Sequence, residues 1–548
     1  MRDGKWASPK HHRDQYAMFS PSLDDMIPAG HPIRLLEALL LVVDWGPWEA
    51  AYKGSRGRPP IHPRLVAGAL LYGLTRKIRV SRHLEEATRV RLDFMWFLHG
   101  MTIDHSTFCA FRTQFEGELK DLFKQLAVIA LKGEMDVELA VDGTRIRANS
   151  SRTGSLTAEA IERRAERIAG ELSAALDRMK QLDLLEDTEV CSVEDLHKEI
   201  AALQAQQAKL TRALEQARER DEAKARKADR RRAESTRVPI TDSDSHVLQN
   251  KEGGYAPNYT PTAAVDTHTG AILVADVPEG SDEAGVVGEA VAGTEELTGQ
   301  LPERILFDST FATGPNLDSL AQQGIEAYAP AGTPKEANPA VRPDPSVPVP
   351  AEQWDALPKQ GKKKRVLTRE AFVYDKEQNC YWCPMARRLP LHRRLKSSGL
   401  RGGVEVHEYM SESCADCPLV DCCLSRKAKR RRISRDQFET QREELHERMA
   451  ADGAAEIYKR RAPAAEGVFG HIKHGMGVRR FLLRGLPKVR IEWLWITAAH
   501  NVSRILATGA GRLDVNQTGQ KTVAIGAKPD HSEVLWLDWP ESTVPLAA

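Results

Sequence analysis

The spacing of apolar residues divides the chain into a helical first part and a mixed second part. From about Ile33 to Leu131 the apolar residues fall in blocks at helical spacing, separated by Gly, Pro and Ser/Thr breaks. These blocks predict an all-helical N-terminal domain over 1–135. Its first 25 residues are polar, and we expect them to form an arm that orders on contact.

Two short apolar runs in the second part each end in an aspartate. Residues 137–142 and 304–308 have the pattern of strands with Asp142 and Asp308 at their carboxyl ends, where open α/β sheets place their sites. Residues 262–277 predict a hairpin that turns at 268–270, so Asp266 should cap that turn rather than bind a metal.

The stretch 457–473 predicts a helix that begins at Pro463, because proline suits a first helical turn. Apolar residues at helical spacing mark its buried stripe: Val468, Phe469 and Ile472. Glu466 and Lys473 lie seven residues, or two turns, apart and should share the opposite face. The alternative is a solvated face that carries a charge pair and no chemistry.

The alternative of a solvated face becomes less favourable if the fold brings three acids together: Asp142, Asp308 and Glu466. Three carboxylates in one place repel each other and are tolerated when cations lie between them. Two Mg²⁺ ions held in this way act on phosphodiesters.

Several segments carry motifs that are specific in combination. They are VDGTRIRANSSR (141–152), ILFDSTFATGPNL (305–317), YKRRAPAAEGVFGHIK (458–473), the long apolar segment 479–506 and the N-terminal HPRLVAGALLYGL, SRHLEEA and IDHSTFCAFR. Together they resemble the DDE transposases of bacterial insertion sequences. The resemblance covers most of the chain outside the tail and one insertion.

The resemblance implies an α/β ribonuclease-H-like catalytic core in which Asp142, Asp308 and Glu466 bind the metals. It also implies that Tyr458, Arg461 and Lys473 contact DNA phosphates. The spacing departs from the family in one place, since four residues separate Arg461 from Glu466 where the commonest form has three. Asp308 is followed by Ser-Thr-Phe where many relatives have a small residue, Gly and Tyr.

The predicted core is interrupted twice. Its first part, 136–331, contains a polar insertion at 157–235 whose leucines follow heptad spacing, which predicts an antiparallel coiled-coil hairpin turning near 183–195. The alternative is a coil between two chains. The last part of the core, 441–506, carries the glutamate, and the tail 507–548 should be loose.

The second interruption, 332–440, is a Pro-rich linker followed by a cysteine cluster. Its CxxC pairs are typical of a structural zinc site: Cys380 with Cys383, and Cys414 with Cys417. Spacing favours those four ligands, whereas the resemblance favours Cys383, Cys414, Cys417 and Cys423. Cys422 is a further candidate for the fourth position, and free thiols without metal are the alternative to zinc.

Charge and compartment add little that is specific. The formal net charge is +1, so any contact with nucleic acid depends on local basic clusters such as 362–365 and 426–432. Arginines that we expect on turns of the helical domain suit DNA backbone contact: Arg56, Arg58, Arg76, Arg79 and Arg82, together with Lys77. The sequence has no membrane span and no signal-peptide core, which indicates a cytoplasmic protein associated with the nucleoid when bound to DNA.

These patterns and the resemblance together predict a DNA transposase. It should bind double-stranded element ends and target, as a homodimer in the DNA complex, and use two Mg²⁺ ions for cleavage and strand transfer, with a structural Zn²⁺ elsewhere. Two alternatives stay open. One is a non-catalytic DNA-binding regulator derived from a transposase, and the other is a nuclease that cuts without joining.

Overall fold

The computed structural model describes most of the chain between residues 22 and 524. The described ranges are 22–52, 59–131, 136–183, 190–226, 236–250, 253–280, 285–330, 338–360, 366–396, 404–424, 428–508, 512–515 and 521–524. None of the helices in these ranges is both long enough and apolar enough to cross a membrane.

The first described part is helical, as the apolar blocks predict. Its helices are α1 (Leu23–Met26), α2 (Pro32–Val42), α3 (Gly46–Ala51), α4 (Pro63–Thr75), α5 (Ser81–Val90), α6 (Leu92–Phe97), α7 (His105–Gln114) and α8 (Glu116–Leu131). Proline in the first turn starts α2 and α4, where its missing N–H has no partner to lose. The Asp104 carboxylate caps α7 by accepting the Thr107 amide.

The chain then builds a central sheet and a long helical excursion. In order, the elements are β1 (Glu138–Gly143), β2 (Ile146–Arg147), β3 (Ser155–Leu156), α9 (Ala158–Asp183), α10 (Val190–Arg226), β4 (Val238–Pro239), β5 (His246–Gln249), β6 (Tyr255–Tyr259), β7 (Thr262–Asp266), β8 (Ile272–Asp276), α11 (Val286–Thr298), β9 (Arg304–Phe307), α12 (Gly314–Gln322) and β10 (Glu326–Tyr328).

Five of these strands form the central sheet in the order β10-β9-β1-β7-β8. Strands β1, β7 and β8 are antiparallel neighbours, whereas β9 and β10 run parallel to β1. The carboxyl ends of β1 and β9 therefore meet at the same edge. This edge is where the aspartates of the two apolar runs lie.

The remaining elements first form a second module, within residues 338–436, which has its own hydrophobic core. The chain then returns to the central sheet. These elements are β11 (Lys359–Gln360), β12 (Val366–Leu367), β13 (Val373–Asp375), β14 (Cys380–Trp382), β15 (Arg388–Lys396), β16 (Glu405–Met410), α13 (Val420–Cys423), β17 (Arg432–Asp436), α14 (Glu439–Ala450), α15 (Ala454–Lys459), α16 (Gly467–Gly470), α17 (Leu486–Ala507), β18 (Arg512–Val515) and β19 (Lys521–Ala524). Strands β13 to β17 form an antiparallel sheet that includes Cys380, and Cys383 follows directly after β14.

The tail contains a short element that the sequence pattern did not predict. Strands β18 and β19 pair antiparallel within the segment expected to be loose. The rest of the tail lies outside the described residues.

The helical region and the central sheet share one hydrophobic core, so residue 135 divides the sequence but not the core. Helix α17 packs against both α4 and α8 on one side and against β8 on the other. At its centre Trp495 is 3% exposed and lies 6.4 Å from Trp48 and 6.1 Å from Phe111, measured between ring centroids. The first 135 residues therefore bury part of their apolar surface on a helix from the far end of the chain.

Helices α9 and α10 pack against each other within one chain. Arg178 pairs with Glu199 and Arg218 with Glu162, so the end of one helix meets the start of the other, as in an antiparallel hairpin. Of the predicted turn at 183–195, residues 184–189 lie outside the described part, and α10 already begins at Val190. Leu176 of α9 is 40% exposed, whereas the neighbouring Ala175 is buried.

Candidate active site

Asp142 and Asp308 lie side by side at one edge of the central sheet. The last paired residues of β1 and β9 in their parallel register are Val141 and Phe307, and each aspartate comes next. Neighbouring strands are about 4.8 Å apart, and paired residues point to the same face. The fold thus brings together two carboxylates that are 166 residues apart in the sequence (308 − 142).

The segment that carries Glu466 is helical but not a regular α-helix. Residues Ala462–Glu466 form a π-helical turn, α16 follows, and His471–Gly475 form a second π-helical turn. The predicted stripe of Val468, Phe469 and Ile472 is buried. The expectation of a regular helix from Pro463 is therefore wrong, although the apolar stripe was located correctly.

The first π-turn explains the unusual spacing between Arg461 and Glu466. In an α-helix, residues five apart point about 140° away from each other. In a π-turn the backbone bonds join residues five apart, so such residues lie on the same side. The extra residue between Arg461 and Glu466 is absorbed by the wider turn, and both side chains can be directed at β1 and β7, on which this turn packs.

Electrostatics indicates that the three acids are neighbours. Burial raises the pKa of Asp142, and the charges of Asp308 and Glu466 raise it further. The Arg461 guanidinium and the Gly143 amide oppose this effect. Arg461 lies 3.0 Å from Asp142 Oδ2 and is itself largely buried, with its Nε atom lacking a hydrogen-bond partner.

Tyr458 and Lys473, which the resemblance assigns to phosphates, lie on the same segment. The Tyr458 hydroxyl is 3.4 Å from the carbonyl oxygen of Phe307, directly before Asp308, and burial raises its pKa. Lys473 is partly exposed in the second π-turn. Because that turn changes the angular spacing, the shared face that a regular helix would give Glu466 and Lys473 no longer follows from their separation.

The donor chemistry of the acidic site suits a hard cation, since Asp142, Asp308 and Glu466 offer only carboxylate oxygens. The side chains as they stand are not gathered into a ligand set. Within the described ranges, no group of three or more His, Cys, Asp or Glu residues is arranged so that it could hold a metal ion. One oxygen of Asp142 is instead directed at Arg461.

Sequence reasoning missed Glu138, which lies at the opposite end of β1. This carboxylate is 2% exposed and accepts a hydrogen bond from Arg460, the residue before Arg461. The sequence did contain a signal for Glu138, because an acid inside an apolar strand needs a buried partner. The identity of that partner was not readable, since Arg460 is 322 residues away in the sequence.

Comparison with known families matches two parts of the chain. The family described as "Transposase DDE domain" matches residues 382–506, and the family described as "Transposase domain (DUF772)" matches residues 21–114. Both descriptions agree with the resemblance seen in the motifs. The two matches indicate an insertion-sequence transposase of the DDE type.

The two matched segments cover different parts of the transposase. The DDE match contains Glu466 and the clustered cysteines from Cys383 onward, whereas Asp142 and Asp308 lie outside both matches. The transposase family that these matches indicate implies DNA binding. A comparison with curated proteins finds no match to this chain.

The cations expected to contact DNA in the helical region of the transposase do not all face solvent. Arg76, Lys77 and Arg82 are exposed. Arg79 is 11% exposed, because it donates to the carbonyl oxygens of Gly477 and Arg480 and pairs with Glu492 of α17. Arg79 therefore joins the helical region to the sheet and is not available to a phosphate. Arg56 and Arg58 lie outside the described residues.

Four cysteines of the transposase line one small cavity in the second module: Cys383, Cys414, Cys417 and Cys423. Burial raises the pKa of Cys423 to about 12, and the neighbouring Cys414, Cys383 and Cys417 add to this. The lining does not include Cys380, which pairs with Pro390 across β14 and β15, or Cys422, which donates to the Leu419 carbonyl.

Proposed function

We propose that the transposase binds the ends of its DNA element and catalyses metal-dependent strand cleavage followed by strand transfer. One observation carries the proposal. The parallel strands β1 and β9 end side by side at Asp142 and Asp308, and Glu466 is close enough to raise the pKa of Asp142. A cluster of carboxylates at the carboxyl edge of a sheet is suited to hard cations and phosphate chemistry.

The strand order supports a ribonuclease-H-like core. Three antiparallel strands, β8, β7 and β1, are followed by β9 and β10 parallel to β1. This is the order that the resemblance implies, with the helical hairpin and the cysteine module inserted between core elements. The glutamate segment then returns to the same edge from the far end of the chain.

Asp142, Asp308 and Glu466 would hold two Mg²⁺ ions through their oxygens. When bound, such ions supply an activated water or 3′-hydroxyl and neutralise the leaving oxygen. The protein would contribute the placement of the three oxygen donors. Because Arg461 is paired with Oδ2 of Asp142, ligation through that oxygen would require Arg461 to move aside.

Arg461, Lys473 and Tyr458 would then contact the phosphates that flank the scissile bond. A guanidinium makes two parallel hydrogen bonds to a phosphate, and a lysine supplies a point charge. The Arg461 Nε atom, which is buried without a hydrogen-bond partner, is consistent with such a use. Tyr458 lies next to the end of β9 and so close to Asp308.

The helical region is proposed to bind the element ends, with Arg76, Lys77 and Arg82 as backbone contacts. These three cations are exposed near the turn between α4 and α5. Because two element ends are cleaved, we propose that the protein is a homodimer in the DNA complex. The target, like the element ends, is duplex DNA. Binding should weaken steeply with salt because phosphate contacts release counterions.

We also propose one structural Zn²⁺ held by Cys383, Cys414, Cys417 and Cys423. Four thiolates are one of the usual structural zinc ligand sets, and these four cysteines line one cavity, although as they stand their side chains are not gathered into a ligand set. Metal analysis of purified protein should find about one zinc per chain. Cys423→Ser should lose the metal, whereas Cys422→Ser and Cys380→Ser should keep it. Retention of zinc by Cys423→Ser would contradict this ligand set.

The acids are tested by isosteric substitution. Asp142→Asn, Asp308→Asn and Glu466→Gln should each abolish Mg²⁺-dependent nicking of labelled end DNA while leaving binding in a gel shift nearly intact. An amide keeps the shape but removes the charge that holds a hard cation. Asp266→Asn is the matched control. This buried aspartate of the same sheet caps the β7–β8 turn through Thr269 and should keep substantial activity.

The two alternatives make different predictions in these assays. A regulator without catalytic activity would bind end DNA but would not nick it with any metal. A nuclease would nick but would not join the freed 3′ end to a target. If Glu466→Gln cuts as fast as the parent, the third ligand lies elsewhere and the Glu466 segment is only a solvated face.

A further inference from the structure

Glu138 is a buried carboxylate at the start of β1 that none of the proposed chemistry uses. Its Oε1 atom accepts the Thr267 hydroxyl at 2.7 Å, and its Oε2 atom accepts Arg460 Nη1 at 3.2 Å. Arg304 lies farther away, at 3.7 Å, and is also paired with Glu303 and Glu326. A charge removed from water in this way must be held by partners of fixed geometry.

Two consecutive arginines connect the glutamate segment to opposite ends of β1. Arg460 reaches Glu138 at the start of the strand, and Arg461 reaches Asp142 near its end. These two acids are four residues apart, which is about 13 Å along a strand. A segment held at one point can pivot about it, whereas two separated points fix both its position and its direction.

We propose that Glu138 is a positioning residue that, through Arg460, fixes the Glu466 segment in register with β1. This inference rests on the proposed function, because it assigns Glu138 to the geometry of the acidic site. Glu466 follows Arg460 by only six residues across the π-turn, so a shift at Arg460 is transmitted to the carboxylate. Glu138 itself is buried and lies about 13 Å along the strand from Asp142, so it is not part of the acidic site.

If Glu138 has this role, its replacement should lower the rate of the reaction step and the affinity for metal but not the affinity for DNA. Misplacement of a catalytic group by about 1 Å is sufficient for large losses in rate. Glu138→Gln, which keeps a hydrogen-bonding side chain but removes the charge, should lower kcat for nicking by about 10-fold or more. The Kd for end DNA should stay within about 2-fold, since no phosphate contact changes.

Two matched controls separate positioning from general charge effects. Glu303→Gln removes an exposed carboxylate from the same Arg304 without touching Arg460, and Lys459→Gln removes the exposed cation next to Arg460. Both controls should keep the parent kcat. Arg460→Gln should reproduce Glu138→Gln, and Arg460→Lys should recover part of the rate because it restores the charge.

Metal affinity is measured apart from activity, as the rise in thermal stability of the full chain with Mg²⁺ concentration. The midpoint of that rise should move to higher Mg²⁺ in Glu138→Gln and Arg460→Gln but not in the controls. The double variant should lose no more than either single variant, because both remove the same link. If Glu138→Gln fails to fold, Arg460→Gln decides alone, since the Arg460 side chain is 46% exposed.

The outcomes distinguish this inference from the function on which it rests. If the parent nicks and Asp142→Asn does not, but Glu138→Gln and Arg460→Gln match their controls in kcat and Mg²⁺ midpoint, the positioning role is wrong and the function stands. If the parent shows no Mg²⁺-dependent nicking, both are overturned.

Discussion

At the scale of single residues, Asp142 is held in an environment that disfavours its charge. Burial raises the pKa of its carboxyl, and so do the charges of Asp308 and Glu466, despite the nearby Arg461. A carboxyl whose pKa is higher in the folded than in the unfolded state favours the protonated form. Such a carboxyl adds to the free energy of unfolding at low pH, and this contribution is lost as pH rises through the folded pKa.

The direction of this pKa shift predicts how the thermal stability of Asp142→Asn compares with that of the parent in the absence of metal. At neutral pH the variant should unfold at a higher temperature than the parent in chelator, because the amide is neutral. The difference should shrink as pH falls through the raised pKa of Asp142 toward the ordinary value of 3.8. Adding Mg²⁺ should stabilise the parent more than the variant. Thermal unfolding at pH 7 and pH 4 measures both effects, and a less stable variant at pH 7 in chelator would contradict the electrostatic argument.

Another pair of residues joins the glutamate segment to α17. His471 and His500 face each other with their Nδ1 atoms 3.0 Å apart, and His500 Nε2 lies 3.2 Å from the Gly270 carbonyl oxygen. Since a carbonyl can only accept, Nε2 of His500 donates and its Nδ1 accepts from His471. Burial, with the neighbouring His471, lowers the pKa of His500 to about 3, so the His500 ring is neutral at neutral pH. Burial also lowers the pKa of His471.

At the scale of elements, the π-turn Ala462–Glu466 combines an extra residue with a proline. Pro463 lacks the N–H that an α-helix would need and its ring crowds the preceding turn. A π-turn accommodates both features within one widened turn. The second π-turn has a steric signature of its own, because a Cβ on Gly475 would come within 2.5 Å of the His471 ring.

Deletion of Pro463 tests the hypothesis that the π-turn accommodates one extra residue. The shortened sequence reads Arg-Ala-Ala-Ala-Glu, which is a good regular helix, and residues four apart in an α-helix share one face. Arg461 and Glu466 should therefore keep their common orientation, and Mg²⁺-dependent nicking should persist with unchanged or higher thermal stability. Deletion of Gly467 is the matched control. It lies in a regular stretch, so its loss rotates the buried stripe by about 100° and should destabilise the protein. Equal loss in both deletions would show that the turn does not absorb the extra residue.

At the scale of the whole molecule, the helical region and the sheet behave as one packed body around α17. The interface contains the Arg79–Glu492 ion pair, in which Glu492 also accepts the amides of Leu482 and Leu483. Burial of two charges in an interface is tolerated when each keeps several hydrogen bonds. We therefore expect residues 1–135 to expose an apolar face when separated from the rest of the chain.

Truncation of one side chain in this interface should affect both regions together. Trp495→Ala should lower the free energy of unfolding by about 3–5 kcal/mol, because it opens a cavity between α17 and the rings of Trp48 and Phe111. Loss of helical circular dichroism and loss of nicking should occur at the same denaturant concentration. Trp96→Ala, a partly buried ring beside Arg34, is the control and should have a smaller effect. Two separate transitions in the parent would contradict a shared core.

The sequence by itself determined what depends on local periodicity. Apolar spacing predicted the helical first part and the stripe of the glutamate segment, and the two apolar runs located the strands that precede Asp142 and Asp308. The hairpin turn at Asp266 was equally readable, because a short side chain that bonds its own neighbouring amide is a local device. The motifs identified the transposase family, which the comparisons confirm.

Only the tertiary structure decided which distant groups meet. The parallel register of β1 and β9, the pairing of Arg460 with Glu138 and the burial of Arg79 all join residues more than 150 positions apart. The π-turn was also not predictable, because a proline in a helical pattern is equally compatible with the start of a regular helix. These features depend on packing and on the removal of charges from water, and a pattern along the chain contains no information about which partner will be present.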